Sequence, residues 1–509
     1  MLMHQHGIGA WVAKRRLRSP DKVALVHGDQ ATMTYRQFAD AADRVSVVLR
    51  EWGVGKGDAV AYLGGNSPDF LAVMFGCAQV GAVFVPVNTR LAAPEIGYVV
   101  ADCGARVLIH DPDFAGPVAA AGPAAGAPNV IVTGEGTSEW PGLARLARAA
   151  VGFTDPVDST HQDAAVIVYT SGTTGRAKGA VLTHGNLTWV ALNCVVDYDV
   201  VSTDVALMIS PLFHVASLGM GALPVLLKGA TLVLEKGFEP GRALAQIERH
   251  GVTMLSGVPT TYQLMADHPD WASTDLSTLA KLTCGGSAVP TRVLDAFEAR
   301  GLSFSQGYGM TEAAPGATAL PAAMTRAKQG SVGLPHFFTD VRITDPTGAA
   351  APTGGVGEIE VAGPNVFPGY HGLPEATAEA FTADGWFRSG DLGYLDADGY
   401  LYISGRLKDM IISGGENIYP PELEHLLTAI DGVTSAAVIG VPDERWGEVP
   451  WAIVTVREGT SVDTDSVRAY LDGKVARYKL PKNVVIVADL PRTASGKVRK
   501  ADLRARFGG

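Results

Sequence analysis

Cysteine is scarce in this chain. The four present, Cys77, Cys103, Cys194 and Cys284, form no C-x-x-C pair. That pattern argues against a disulfide framework and reads as buried, reduced thiols in a cytosolic protein, and nothing in it singles out a catalytic cysteine. Positive charge is also short: 41 Lys and Arg stand against 52 Asp and Glu, a net charge of −11. A nucleic-acid partner, which would demand a basic surface, is disfavoured on that count, although a local basic groove stays open. Unbroken apolar runs long enough to span a membrane are missing too. Residues 70–89 carry no charge but are interrupted by Gly76, Gln79, Gly81 and Pro86. Residues 205–227 are interrupted by Pro211, His214, Gly219, Gly221 and Pro224. Such punctuation fits buried helix–turn–strand pieces rather than lipid-facing helices. A secretory leader is not evident either, because the basic cluster Lys14, Arg15, Arg16 and Arg18 follows the first apolar stretch instead of leading it. The cluster reads as a solvated helix face, with weak peripheral membrane contact as the alternative. A cytoplasmic location is expected, and a homodimer is compatible with the sequence.

What is present is a long globular chain. Its 509 residues are 47% hydrophobic and 18% charged, and single cores stop growing at roughly 250–300 residues, so at least two domains are expected. Toward the N-terminus, β-branched runs alternate with helical patterns. DAVAYLG (58–64) reads as a strand, PDFLAVMFGCAQVG as a helix, AVFVPVN as a strand, PEIGYVVADCG as a helix and RVLIHD (106–111) as a strand. Alternation at this pitch predicts parallel sheet with helices on its faces. AAVIVY (164–169) is a further strand, and HGNLTWVALNCVV a further helix. Residues 115–128, rich in Ala and Gly, read as a surface linker, and the similar run 313–323 as a linker or a lining. After Gly405 the pattern changes to mixed α+β. The fold class expected is therefore α/β. A large N-terminal domain of parallel-rich β-sheets layered with helices covers 1–405, and a small α+β domain covers 406–509.

Several short motifs carry chemistry. YTSGTTGRAKG (169–179) is rich in glycine and hydroxyls and contains Lys178. It departs from the G-x-x-x-x-G-K-[ST] triphosphate loop, because Ala177 precedes the lysine and Gly179 follows it. Gly172 and Gly175 let the backbone approach a ligand, Thr170, Ser171, Thr173 and Thr174 offer donors, and successive N–H groups make an anion-binding concavity. Alone, the stretch is also compatible with a surface hairpin. QGYGMTE (306–312) combines an aromatic ring, a glycine and a carboxylate suited to a base platform beside Mg²⁺, or merely a solvated Glu. GWFRSGDLG (385–393) places Asp391 in a tight turn that can meet a ribose diol or close an Asx-turn. GRLKDMIISGGENIYP (405–420) and TASGKVRK, with Lys497, complete the set.

In this order, these motifs and PLFHVA resemble the signatures of the adenylate-forming superfamily: acyl-CoA synthetases, including fatty-acid–CoA ligases, the adenylation domains of peptide synthetases, and luciferases. The resemblance runs nearly end to end, from YRQFADAADRVSVVLREWGVGKGD to PRTASGKVRK. It implies a ligase that uses ATP, Mg²⁺ and coenzyme A. A carboxylate attacks the α-phosphorus, pyrophosphate leaves, and the acyl group then passes to a thiol. No protein nucleophile is needed, and catalysis is charge stabilisation and positioning. By resemblance, Thr170, Ser171, Gly172, Thr173, Thr174, Gly175 and Lys178 surround the β- and γ-phosphates. Gly286, Ser287 and Ala288 lie along the adenine, with Tyr308 and Gly309 beside it. Thr311 touches the α-phosphate, and Glu312 holds the metal. Asp391 and Arg406 bind the ribose. Lys497 bridges the carboxylate and the α-phosphate, a task suited to a compact cation on a long stem. The small domain, mobile in similar enzymes, is expected to swing about Lys408. That motion removes Lys497 and brings Ser413, Gly414 and Gly415 to a pantetheine tunnel.

The acid is read from the walls. Amino-acid-activating relatives place an Asp after the Phe of the PLFHVA-type motif, where this chain has His214, and no acidic residue occurs from 205 to 227. Malonate-activating relatives carry an Arg soon after V-P-T, where this chain has VPTTYQLM. Both classes are disfavoured. Val215, Ala216, Ser217, Gly221, Val258 and Met310 give an apolar or small wall suited to an uncharged tail, and His214 gates or lines it. The expectation is a fatty or related apolar acid, followed by an aryl acid such as a cinnamate or benzoate, or a terpenoid or sterol-derived side chain. Coenzyme A is favoured over a carrier protein, because the sequence ends shortly after Lys497. Luciferase-like oxygenation and a non-catalytic ligand-binding relative are the remaining alternatives. The second is disfavoured because Lys178, Glu312, Asp391 and Lys497 are all retained.

Overall fold

The structure is a computed structural model that describes residues 7–29, 31–122, 129–151, 157–170, 176–286, 289–460, 462–492 and 497–508. The chain divides into two compact units. The first comprises Met1–Val341 and Val361–Phe387, and the second Arg342–Glu360 and Arg388–Gly509.

The larger unit has the expected layered α/β design. One sheet runs in the order Gly369–Tyr370, Lys178–Thr183, Ala164–Thr170, Val83–Pro86, Ala59–Leu63, Ala105–His110 and Asn129–Val132. Its last five strands are parallel, and the first two close one edge in antiparallel fashion. The uncharged run near residue 70 is a buried helix followed by a strand. Pro68 opens the helix Pro68–Val80, the Ser67 hydroxyl accepts a bond from Phe70 N–H, and Gly81 closes it at φ 73°. The run 205–227 likewise breaks into the strand Val205–Met208, a π-helical turn Ala216–Ala222 and the helix Leu223–Lys228. No helix among the described residues is long and apolar enough to cross a membrane.

A second sheet of the same unit carries a central parallel array, Phe304–Gly309, Lys281–Cys284, Met254–Gly257, Val205–Met208, Thr231–Leu234 and Val23–His27. Antiparallel strands Gly316–Leu320 and Ser331–Pro335 flank one end. The 115–128 stretch is a linker only in part. Ala115–Ala121 forms a helix with Val118 and Ala121 buried, because a run of alanines pays little to become helical. Residues 123–128 lie outside the described set. All four cysteines are free and buried, and burial raises every one of their thiols, that of Cys103 to about 12. None is placed to act as a thiolate.

The second unit contains the antiparallel hairpin Phe387–Leu395 with Leu401–Arg406. It also contains the sheet Glu416–Ile418, Ile411–Ser413, Gly447–Val456 and Val433–Asp443, with Asn483–Ile486 pairing in parallel. The helices Pro420–Thr428 and Thr464–Leu471 supply Leu423, Leu427, Val467 and Leu471 to its core. The domain boundary expected after Gly405 falls inside this unit. The hairpin pairing explains why: strand Leu401–Arg406 cannot be separated from Phe387–Leu395 without breaking their ladder.

Candidate active site

In the larger unit the motifs collect at one end of the parallel array. Strand Val205–Met208 runs into SPLFHVA, and Met254–Gly257 into VPTTY. Lys281–Cys284 runs into GGSAVP, and Phe304–Gly309 into MTE. These four strands are consecutive neighbours and parallel, so the four loops leave the same, carboxyl edge. That edge is where open α/β sheets bind ligands. The buried Gln306, on the strand that leads into MTE, holds the loop after Lys281–Cys284, because its Oε1 accepts from Val289 N–H at 3.3 Å. Gly286 enters its loop at φ 85°. Gly309 is required for a different reason: a Cβ there would stand 1.6 Å from the Pro315 carbonyl oxygen. Ser287 and Ala288 lie outside the described residues, as do Ser171, Gly172, Thr173, Thr174 and Gly175.

The two ends of the phosphate-type loop are nevertheless fixed. Thr170 and Lys178 are cross-strand partners, and the Thr170 hydroxyl donates to the Lys178 carbonyl at 3.4 Å. The Tyr98 hydroxyl donates to Ala177 O at 3.0 Å. Strand Gly369–Tyr370 pairs with the exit strand and sets Tyr370 beside Lys178, whose Nζ lies 5.1 Å from the ring centroid. The Tyr370 hydroxyl donates to Glu312 Oε1 at 2.9 Å. Burial first, and then the Glu312 carboxylate, push the Tyr370 phenol well above its usual range, so it stays a donor. Lys178, Tyr370 and Glu312 thus form one chain of contacts, although the sequence separates them widely.

The turn after Glu312 is held by buried amides. Thr311–Ala313 is a single 3₁₀ turn. Asn365, 0% exposed, donates to Ala313 O at 2.9 Å and to Gly316 O at 2.7 Å. Its Oδ1 accepts from the Thr339 hydroxyl, which in turn accepts from Asn193. Phe367 N–H meets the Glu312 carbonyl at 2.8 Å.

The acyl-wall residues divide. Met310 and His214 are half-buried, Val258 and Ala216 are exposed, and Tyr308 and Thr311 sit half-buried at the carboxyl edge. Val215 packs in the main core, and Gly221 lies against the Met208 thioether, so both support the wall from behind. Ser217 is also buried. The His214 ring tilts against Phe213 at 4.5 Å. Gly219 lets the π-helical turn approach the Ala314 carbonyl, where a Cβ would be 2.5 Å away.

In the second unit, Asp391 and Arg406 are cross-strand partners, joined Oδ1 to Nε at 3.1 Å. Asp391 N–H donates to the Ser389 hydroxyl at 3.0 Å. Lys408 is exposed just beyond this pair, and Lys497 is exposed beside the short bridge Arg492–Val498. Ser413 pairs with Glu416 across a two-residue turn in which Gly414 and Gly415 hold φ of 61° and 86°. Trp446 covers that turn, since a Cβ on Gly414 would meet its ring at 2.8 Å.

Tyr370, Asn365 and Trp446 escaped the sequence reading. The stretch GPNVFPGY, which supplies the first two, signals only a turn, and the partners of both are set by sheet pairing across long separations.

With this arrangement in view, the comparisons are unambiguous. The AMP-binding enzyme family matches residues 12–371, and the AMP-binding enzyme C-terminal domain matches residues 422–497. The chain belongs to the AMP-binding enzyme family, the adenylate-forming class that its fold and motifs define. Within it, the chain is an ATP-dependent acid–CoA ligase of the acyl-CoA synthetase branch. It is 49% identical over 513 residues to a feruloyl-CoA synthase of Amycolatopsis sp, covering 99% of this chain and 100% of that protein. It is 37% identical over 504 residues to a long-chain-fatty-acid–CoA ligase of Mycobacterium tuberculosis, covering 98% of each. Its backbone matches ATP-bound MatB from Rhodopseudomonas palustris with a TM-score of 0.91 at 33% identity, over 98% of this chain and 99% of that one.

Proposed function

We propose that this ligase activates an aryl-substituted monocarboxylic acid of the hydroxycinnamate class. The observation that carries this reading is the 49% identity, end to end, to a feruloyl-CoA synthase. The wall of Met310, Val258 and the π-helical turn agrees with it, since an apolar lining suits an aryl ring. A fatty tail, which the apolar wall also suits, is the second reading. It is favoured by the likeness to the fatty-acid ligase.

In the first step a carboxylate oxygen bonds to the α-phosphorus as the bond to pyrophosphate breaks. Lys178 and the donors of 170–175 take the charge that leaves, Thr311 meets the α-phosphate, and Lys497 offsets charge on the carboxylate and phosphate. Asp391 and Arg406 orient the ribose. Magnesium would be held by Glu312 together with the phosphates of ATP, and would neutralise phosphate charge. Glu312 fits that task because one oxygen is fixed by the Tyr370 hydroxyl, leaving the other to bind. In the second step the thiol sulfur attacks the acyl carbon and AMP departs. The chain beyond Lys408 turns about that residue between steps, and the Ser413–Gly414–Gly415 turn borders the thiol arm.

ATP–pyrophosphate exchange over ferulate, 4-hydroxycinnamate, benzoate, octanoate, palmitate and malonate tests the assignment, with CoA-dependent AMP release as a second readout. Hydroxycinnamates are expected to lead. A lead by octanoate or palmitate transfers the conclusion to the second reading, and a lead by malonate overturns the reading of the wall.

A further inference from the structure

Behind the turn that follows Glu312 lies a buried imidazole for which the reaction has no task. His336 is 1% exposed. Its Nδ1 faces Asp197 Oδ2, which also receives Phe337 N–H at 3.3 Å. With two groups converging on one carboxylate oxygen, the partners assign the ring proton to Nδ1. Nε2 is then left as a lone-pair acceptor, and it has no hydrogen-bond partner among the described residues. Tyr198 packs edge-on against the ring at 5.9 Å and limits its rotation. A buried acceptor left unmatched costs free energy, so its retention calls for a reason.

Its neighbour supplies the reason. A methyl group on Gly316 would lie 2.8 Å from His336 Nε2 and 3.4 Å from the Met220 methyl. Gly316 is the cross-strand partner of Gly309, immediately before Met310. Met220 belongs to the π-helical turn of the acyl wall. The missing side chain at 316 therefore lets Nε2 come up close behind the strand that adjoins the wall, with a flexible thioether beside it. Methionine, unbranched with several rotatable bonds, moves aside readily.

We infer that His336 is a specificity residue: Nε2 accepts a hydrogen bond from a hydroxyl on the distal ring of the aryl acid, with Asp197 fixing the tautomer. This rests on the aryl reading above and narrows it to phenolic acids. A site built to bond a hydroxyl discriminates strongly against the analogue that lacks it.

The test compares kcat/KM for 4-hydroxycinnamate and cinnamate in the full chain. The wild type is expected to favour the phenol by about tenfold or more. In His336→Phe the ratio falls toward one, chiefly through a higher KM for 4-hydroxycinnamate. Gly316→Ala sets a methyl against Nε2, too close for both to keep their places, and is expected to lower the ratio likewise. It carries the test if His336→Phe fails to fold. Turnover of both acids with a ratio that neither substitution alters overturns this inference and leaves the aryl reading intact. Failure of the wild type to use either acid overturns both.

Discussion

Tyr370 touches two groups assigned to the phosphates. Its ring lies beside the Lys178 ammonium, and its hydroxyl holds one oxygen of Glu312. Removing only the oxygen isolates the second contact. Tyr370→Phe keeps the ring, the strand pairing and the burial, but frees Glu312 to rotate. A hydrogen bond to a charged group is worth about 1.5–3 kcal/mol, so kcat/KM for ATP is expected to fall by about ten- to a hundredfold. Pyrophosphate exchange at varied ATP and magnesium measures it, with thermal unfolding as the control for stability. An unchanged kcat/KM would remove Tyr370 from the site.

At the scale of elements, the turn after Glu312 depends on partners that its own sequence does not contain. Residues 313–316 cannot satisfy their carbonyls in a regular ladder, because the register with Phe304–Gly309 shifts at Tyr308–Gly309. Asn365 meets two of those carbonyls from a distant segment. Asn365→Ala leaves both buried and unmatched, and is expected to cost about 2–4 kcal/mol of stability, read as a lower urea midpoint. Exchange activity should fall more than the folded fraction does, since Glu312 hangs on the same turn. A midpoint unchanged from wild type would show that the amide is dispensable. The contrast with the rest of the sheet explains what was legible. Strands such as 59–63 and 105–110, and the helix from Pro68, follow local apolar runs and caps, so sequence alone located them. The motif loops were legible because dense runs of glycine and hydroxyl residues stand out in a sequence. Asn365, Tyr370 and His336 were not, because a single polar side chain in a loop reads as solvated until the sheet brings its partner alongside. Val215 and Gly221 look like pocket lining in a one-dimensional motif, but the helical turn rotates them toward the core.

For the whole molecule, pH and lid motion give separate tests. His184 accepts from Ile8 N–H through Nδ1 at 3.2 Å, and burial lowers its pKa to about 4 from 6.5. The unfolded chain therefore takes up a proton between those values that the native larger unit refuses. Stability is complete above about pH 6.5, falls as pH drops toward 4, and loses nothing further to this group below that. From pH 7.5 to 5 the loss is about 2 kcal/mol. Urea unfolding across that range should be visibly flatter in His184→Gln, and equal slopes would exclude His184 as the source. The proposed turn about Lys408 carries the sharper consequence. Lys497 is exposed within its own unit, where a long stem can reach a ligand, and Lys408 is exposed on the path of the proposed turn. If one cation serves only the adenylation step, Lys497→Ala should abolish pyrophosphate exchange yet largely spare thioester formation from supplied acyl adenylate. Lys408→Pro, which fixes φ at the proposed pivot, should do the reverse: exchange persists and CoA-dependent AMP release fails. Equal loss of both half-reactions in Lys497→Ala would mean that a single arrangement performs the whole reaction, and the swing about Lys408 would have no work to do.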